Sequence, residues 1–207
     1  MNTVEVKICG LTNKDDAVAA LDSGADYLGF VLYPDSPRGI TAAKLIEIVD
    51  KINRPVKAIG VFVNMPRLQV EQVARDCNLY AVQLHGREKP GDFVATPFPI
   101  WRALRFTKGH PNPYPRHWPV ERYLVDAAVA GKYGGTGALS DWQKAAELAK
   151  KHPIMLAGGL TPENVAKAIR AVNPLGVDVV SGVESVPGRK DHRKLKAFIK
   201  AANTDIA

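Results

Sequence analysis

Short apolar runs alternate with longer amphipathic segments along this chain. Eight runs are rich in β-branched or apolar residues and bounded by turn-forming residues, a pattern typical of buried strands. They are Val4–Cys9, Tyr27–Val31, Lys57–Val63, Ala81–Leu84, Ile100–Ala103, Tyr123–Val125, Ile154–Leu156 and Val177–Val180. Their starts lie roughly 25 residues apart, which fits one strand, one helix and two short loops. The pattern therefore predicts eight βα units.

Several segments between these runs carry the apolar stripe of an amphipathic helix. One such helix is predicted over Thr41–Ile52. Another is predicted over Thr161–Val172, with Thr161 as N-cap and Pro162 as the first helical residue. A last helix is predicted over Asp191–Ala202.

Eight units in 207 residues favour one α/β domain over residues 1–207, built as a (β/α)8 TIM barrel. A doubly wound sheet of this length would need longer or fewer units. The segment Thr107–Pro119 departs from the pattern because it contains four prolines, which exclude a regular helix. The helix between strands 5 and 6 is therefore expected to be short or missing.

Composition and charge limit the kinds of partner and the cellular compartment that this protein can have. The net charge of +7 fits a nucleic acid, an anionic membrane surface or a small acidic substrate as partner. Basic residues are spread over all the units, which argues against nucleic acid. The chain start lacks signal-peptide features, no apolar run is long enough to span a bilayer, and two cysteines form no disulfide framework. A cytoplasmic protein without a nucleic-acid or membrane partner is expected.

Polar residues close several predicted strands, at the end of a barrel where active sites form. Cys9 closes the first strand, Gln83 and His85 the fourth, and Asp126 the sixth. Alternation along the first strand turns Lys7 and Cys9 into the barrel.

Two glycine-rich turns follow the seventh and eighth strands. Gly158 and Gly159 form one, and Ser181 and Gly182 the other, each before a possible helix start. Backbone N–H groups at this position commonly bind phosphate. A third glycine segment, Tyr133–Gly137, could close over a bound anion or form a surface turn.

Seven motifs together resemble one family. They are KICGLT (Lys7–Thr12), GADYLGFVLYPDSPR (Gly24–Arg38), GVFVN (Gly60–Asn64), AVQLHG (Ala81–Gly86), LVD with GGTG and DW (Leu124–Trp142), LAGGLTPENV (Leu156–Val165) and GVDVVSGVE with PGRKD (Gly176–Asp191). In this order they resemble phosphoribosylanthranilate isomerase. The resemblance implies an Amadori rearrangement of N-(5-phosphoribosyl)anthranilate in tryptophan biosynthesis, with neither metal nor cofactor.

The resemblance also implies roles for individual residues. Asp126 resembles the family's general acid, Cys9 its general base and Arg38 its anthranilate-binding arginine, while His85 and Asp178 are candidate substrate contacts. An aspartate that acts as an acid needs burial or a neighbouring negative charge to keep its proton.

Lys7 is expected to favour the thiolate of Cys9, because a nearby cation lowers a thiol pKa. A buried ammonium also needs an acidic partner, for which Asp126 and Asp178 are the candidates. Since a bond to Asp126 would work against an acid role, Lys7 is predicted to lie nearer Cys9 or Asp178.

Other interpretations stay open at this point. Taken alone, Cys9 would be a packing residue, as Cys77, Trp101 and Trp142 are expected to be, and the run Arg189–Lys194 would be a solvated helix face. The histidine-pathway isomerase catalyses the same rearrangement, but it has an aspartate at each catalytic strand end. The chain could act as a monomer or a homodimer.

Overall fold

The computed structural model describes residues 4–107, 110–115, 118–126 and 139–204. Its strands are β1 (Glu5–Cys9), β2 (Tyr27–Val31), β3 (Ala58–Phe62), β4 (Ala81–Leu84), β5 (Ile100–Thr107), β6 (His110–Asn112), β7 (Arg122–Asp126), β8 (Ile154–Ala157), β9 (Gly176–Val179), β10 (Glu184–Val186) and β11 (Arg189–Lys190). Eight of them are parallel and pair in the ring order β4, β3, β2, β1, β9, β8, β7, β5, with β5 pairing back to β4. The predicted TIM barrel is confirmed.

Six α-helices lie in the described ranges: α1 (Lys14–Asp22), α2 (Ala42–Asp50), α3 (Arg67–Asp76), α4 (Leu139–Ala149), α5 (Val165–Val172) and α6 (His192–Ala202). Two start as the sequence predicts. Thr41 caps α2 by accepting from the N–H of Lys44, and Asp191 caps α6 by accepting from two backbone N–H groups. Each cap satisfies donors that the first helical turn leaves without partners.

The regular part of α5 begins at Val165, four residues after the predicted N-cap Thr161. The predicted capping bonds are nevertheless present: Thr161 Oγ1 accepts from the N–H of Glu163, and the Thr161 carbonyl accepts from the N–H of Val165. Asn164 completes the cap, because its side chain accepts from the N–H of Thr161 and donates to the carbonyl of Gly159. This exchange resembles a capping box, in which the third residue after the cap bonds back to the cap N–H.

A hairpin stands where the fifth helix of a regular barrel would lie. β5 continues past the barrel rim to Thr107 and pairs antiparallel with β6, with Phe106 opposite Pro111. The described residues between β5 and β7 form no α-helix, as the prolines predict. Behind the hairpin, Trp118 lies over the guanidinium of Arg102 at 4.7 Å.

The barrel interior has an apolar layer and a polar base. Tyr27, Trp101, Leu124 and Met155 are among the buried residues that fill it. At the end where the strands begin, Arg122 forms a salt bridge with Glu5 and its guanidinium stacks 4.5 Å from the ring of Trp101. Side chains therefore fill the end of the barrel where the strands begin. The candidate site residues lie at the opposite end, which is called the mouth below.

The expected packing residues outside the mouth are buried. Cys77 is 4% exposed, Trp101 0% and Trp142 6%, so the predicted core roles are confirmed.

Candidate active site

Four predicted site residues lie at the carboxyl ends of barrel strands. Cys9 ends β1, Asp126 ends β7, Asp178 lies on β9, and His85 follows β4 directly. Cys9, Asp126 and Asp178 share the parity of interior residues on their own strands, so they turn toward the barrel axis.

Lys7 forms a buried ion pair with Asp178. The two are register partners on β1 and β9, and Lys7 Nζ donates to Asp178 Oδ1 at 2.7 Å. Burial opposes the charge of Lys7, but Asp178 and Cys9 outweigh it and raise its pKa. The prediction that Lys7 lies near Cys9 or Asp178 is confirmed.

The charge of Lys7 lowers the pKa of the Cys9 thiol, as predicted, but burial has the larger and opposite effect. Burial raises the pKa of the Cys9 thiol, and the opposing charges of Lys7 and Lys190 reduce this rise without cancelling it. Cys9 is 4% exposed, so its thiolate would lose most of its hydration. The thiol form is therefore the resting form.

Arg38 is held at the mouth by Glu184. Its Nε donates to Glu184 Oε1 at 2.8 Å and its Nη2 to Oε2 at 2.6 Å, a bidentate pair. Gly10 lets the side chain pass, because a Cβ there would lie 2.7 Å from Arg38 Cδ. The Nη1 group donates to no partner among the described residues and remains available to an anion.

The prediction that Arg189–Lys194 forms a solvated helix face is wrong at Lys190. This residue lies on β11, only 5% exposed, and Arg193 and Lys194 of the same run are exposed. Its Nζ donates to the carbonyl of Cys9 at 2.7 Å and to Glu184 at 3.3 Å. The β10–β11 hairpin folds this cation inward. Pro187 and Gly188 mark its turn locally, and Gly188 has a positive φ of 82°, but the pattern does not show that the turn directs Lys190 into the barrel mouth.

The two predicted phosphate turns are adjacent. Gly158 and Gly159 have positive φ values of 87° and 64°. The backbone of Gly182 lies so close to Leu160 that a Cβ would be 1.9 Å from its carbonyl oxygen. Ser181 begins a short 3-10 turn rather than the helix start expected there. The Tyr133–Gly137 segment lies outside the described residues.

His85 is fixed beside a cavity of about 410 Å³. Its Nδ1 lies 3.2 Å from the amide nitrogen of Gln83. Burial, followed by the charges of Arg105, Lys7 and Arg102, lowers the pKa of His85 to about 4. His85 is therefore neutral at physiological pH.

A larger cavity of about 650 Å³ lies outside the rim, between the start of α3 and the segment 91–95. It is lined by none of the predicted site residues.

Comparison with known proteins gives the same assignment as the motifs. The family model of N-(5'-phosphoribosyl)anthranilate (PRA) isomerase matches residues 6–201. The N-(5'-phosphoribosyl)anthranilate isomerase of Roseiflexus sp. (strain RS-1) is 45% identical over 212 residues, covering 96% of this chain and 97% of that protein. The chain belongs to the phosphoribosylanthranilate isomerase family.

Solved members of the phosphoribosylanthranilate isomerase family share the fold. The Thermotoga maritima enzyme superposes with a TM-score of 0.85 at 36% identity, covering 96% of this chain and 98% of that one. A family structure bound to reduced 1-(o-carboxyphenylamino)-1-deoxyribulose 5-phosphate has a TM-score of 0.80, the same identity and the same coverage. The expected enzyme class, an isomerase of tryptophan biosynthesis, is confirmed.

Four residues at the mouth of this phosphoribosylanthranilate isomerase family member are not among the site residues predicted from the sequence. Gln83 was noted only as a polar residue that closes a strand, and Arg105 follows the inward parity of its strand, so the alternation could have found it. Arg105 lines the 410 Å³ cavity and is the register partner of Asp126. Glu184 and Lys190 lie on a hairpin beyond β9, where the alternation of the barrel strands has ended.

Within the described ranges, no helix is long and apolar enough to cross a bilayer.

Proposed function

We propose that Cys9 is the general base and Asp126 the general acid of the family reaction in this chain. The observation that carries the proposal is their shared position. Cys9 is the last residue of β1 and Asp126 the last residue of β7, and both side chains face the barrel interior at the same mouth. They lie on β1 and β7, which β9 and β8 separate. A substrate across the mouth can therefore meet an acid on one side and a base on the other.

The proposed chemistry needs only these two proton carriers. Asp126 gives a proton to the ribose ring oxygen, the C1′–O bond breaks, and the nitrogen lone pair forms the Schiff base. Cys9 removes the proton from C2′, and the electrons of that bond form the enolamine. The ketone forms when C1′ takes up a proton and the C2′ hydroxyl gives one up, both exchanged with water, which also returns Cys9 and Asp126 to their starting protonation states. Lys7 and Lys190 stabilise the thiolate that removal of the C2′ proton requires, against the cost of its burial.

Substrate binding is proposed to use the two ends of the mouth. Arg38 presents its Nη1 edge to the anthranilate carboxylate, because Glu184 occupies the other edge. Backbone N–H groups at Gly158, Gly159, Ser181 and Gly182 bind the phosphate, a role that positive-φ glycines and a tight turn suit. Asp178 acts through Lys7 in this scheme.

The whole chain, residues 1–207, is proposed to act as one catalytic domain in the cytoplasm, without metal or cofactor. The family match over residues 6–201 supports one domain. A monomer or homodimer is proposed, since the related Thermotoga maritima enzyme is dimeric. Turnover that is unchanged by a chelator is the expected result.

The deciding experiment follows the loss of anthranilate-type fluorescence with substrate generated in situ. Cys9→Ala and Asp126→Asn should each lose at least about two orders of magnitude in kcat. Cys77→Ala is the matched control, since Cys77 is also buried but lies outside the barrel. Near-normal turnover by both site variants would overturn the assigned roles.

A further inference from the structure

Gln83 is a buried polar side chain of the barrel interior. It follows Ala81 on the inward face of β4 and is 2% exposed. Its Oε1 is buried and accepts no hydrogen bond from the residues that the structure describes. Burying an amide with an unsatisfied oxygen costs free energy. The contact between the Gln83 amide and His85 is the interaction that can offset this free-energy cost.

That contact defines which nitrogen of His85 carries the proton. The amide nitrogen of Gln83 lies 3.2 Å from His85 Nδ1, and an amide NH₂ group can only donate. Nδ1 must therefore accept, which leaves the proton of the neutral ring on Nε2.

The charges around His85 keep the ring neutral. Arg105, Lys7 and Arg102 all lower its pKa, in addition to burial. Glu88 is a nearby carboxylate, but it pairs with Arg102 at 2.8 Å and accepts from the backbone N–H of Gly86. Its negative charge is thus already compensated and does not favour an imidazolium.

The backbone around His85 is also held. The His85 N–H donates to the carbonyl of Phe62 at 2.9 Å. Arg102 donates to the carbonyls of Leu84 and Gly86, on either side of His85, at 2.7 and 2.8 Å. These bonds hold the backbone from which the His85 ring extends to line the 410 Å³ cavity.

We propose that Gln83 is a positioning residue that holds His85 as the Nε2–H tautomer, and that His85 then donates a hydrogen bond to the oxygen on C2′ of the substrate. This inference rests on the proposed function, in which that oxygen changes from hydroxyl to carbonyl. His85 keeps its proton throughout. The proton from C2′ goes to Cys9, and when the enolamine becomes the ketone the hydroxyl proton goes to water while C1′ takes a proton from water.

The barrel order supports this placement. β4 lies directly across the ring from β9, with β3, β2 and β1 between them on one side. A substrate with its phosphate at the turns after β8 and β9 would extend its C1′ and C2′ atoms toward β4. A fixed neutral donor there stabilises oxygen as its electron density rises, without giving up a proton.

The first test measures ¹⁵N chemical shifts of the histidine ring in the protein without substrate, with His85 assigned by comparison with His85→Gln. We expect a protonated Nε2 and a bare Nδ1. In Gln83→Glu, a carboxylate that accepts from Nδ1 should move the proton to that nitrogen. A protonated Nδ1 in the wild type would overturn the proposal, and this result does not depend on the roles of Cys9 and Asp126.

The second test is kinetic. Gln83→Glu and Gln83→Met should each lower kcat by about 10- to 100-fold with a smaller change in KM, since the bond is strongest during the reaction. His85→Gln, whose amide can reach the Nε2 position, should keep more of kcat than His85→Leu. Equal kcat values for these two variants would contradict a donor role, even if Cys9→Ala confirms the base.

Discussion

Lys7 Nζ lies 2.7 Å from Asp178 Oδ1, with the two side chains 0% and 5% exposed. The register of β1 and β9 places these residues opposite each other, so the pair follows from strand alignment. It puts a fixed positive charge beside Cys9 and ties the first barrel strand to the last.

Breaking this pair should be costly to stability. Asp178→Asn leaves a buried ammonium without its counter-charge, which we expect to lower the free energy of unfolding by about 3–5 kcal/mol. The double variant Lys7→Met/Asp178→Asn should recover much of this loss, because no charge remains to be buried. Urea denaturation measures both.

An exposed ion pair provides the control for that experiment. Glu47→Gln removes the partner of Lys44 and Lys51 on the surface of α2, where solvent screens the charges. It should leave the urea midpoint nearly unchanged. A midpoint for Asp178→Asn equal to that of Glu47→Gln would contradict the importance of the buried pair.

Gly182→Ala should push apart the glycine turn after β8 and the glycine turn after β9. The added methyl would meet the carbonyl oxygen of Leu160 at 1.9 Å, so one backbone must move. We expect a loss of about 1–3 kcal/mol of stability and a raised KM for the phosphorylated substrate. Gly91→Ala is the control, since a Cβ there meets nothing within 4 Å; a KM that rises equally in both variants would rule out a local effect.

Glu184 should contribute to stability in a pH-dependent way. Although burial opposes ionisation, Arg38, Lys190 and the Gly188 N–H lower its pKa below the ordinary value of 4.5. The folded state therefore binds fewer protons than the unfolded state, and this stabilisation exists above pH 4.5 and is lost as pH falls through the folded pKa.

The variant Glu184→Gln tests this dependence. It should be less stable than the wild type at pH 7, and the difference should shrink as pH falls below 4.5, because the neutral amide does not titrate. Urea unfolding at a series of pH values measures it. A difference that is the same at pH 7 and at about pH 3 would show that Glu184 acts through packing instead of charge.

The fold was largely predictable because its signal is local. Strand spacing and inward parity were enough to expect a barrel with Cys9 and Asp126 at its mouth. The start of α5 shows the limit of that reasoning: the pattern placed the cap at Thr161, whose capping bonds are present, but the regular helix begins only at Val165.

The sequence alone determined the eight-unit period, the inward residues of each strand and the family resemblance, because these depend on near neighbours and on residue identity. Only the tertiary structure decided that Glu184 holds Arg38, that Lys190 is buried beside Cys9, and that the Cys9 pKa is raised. Such features depend on distances between residues far apart in the chain and on lost hydration. Neither these distances nor the loss of hydration produces a repeating pattern of residues along the sequence.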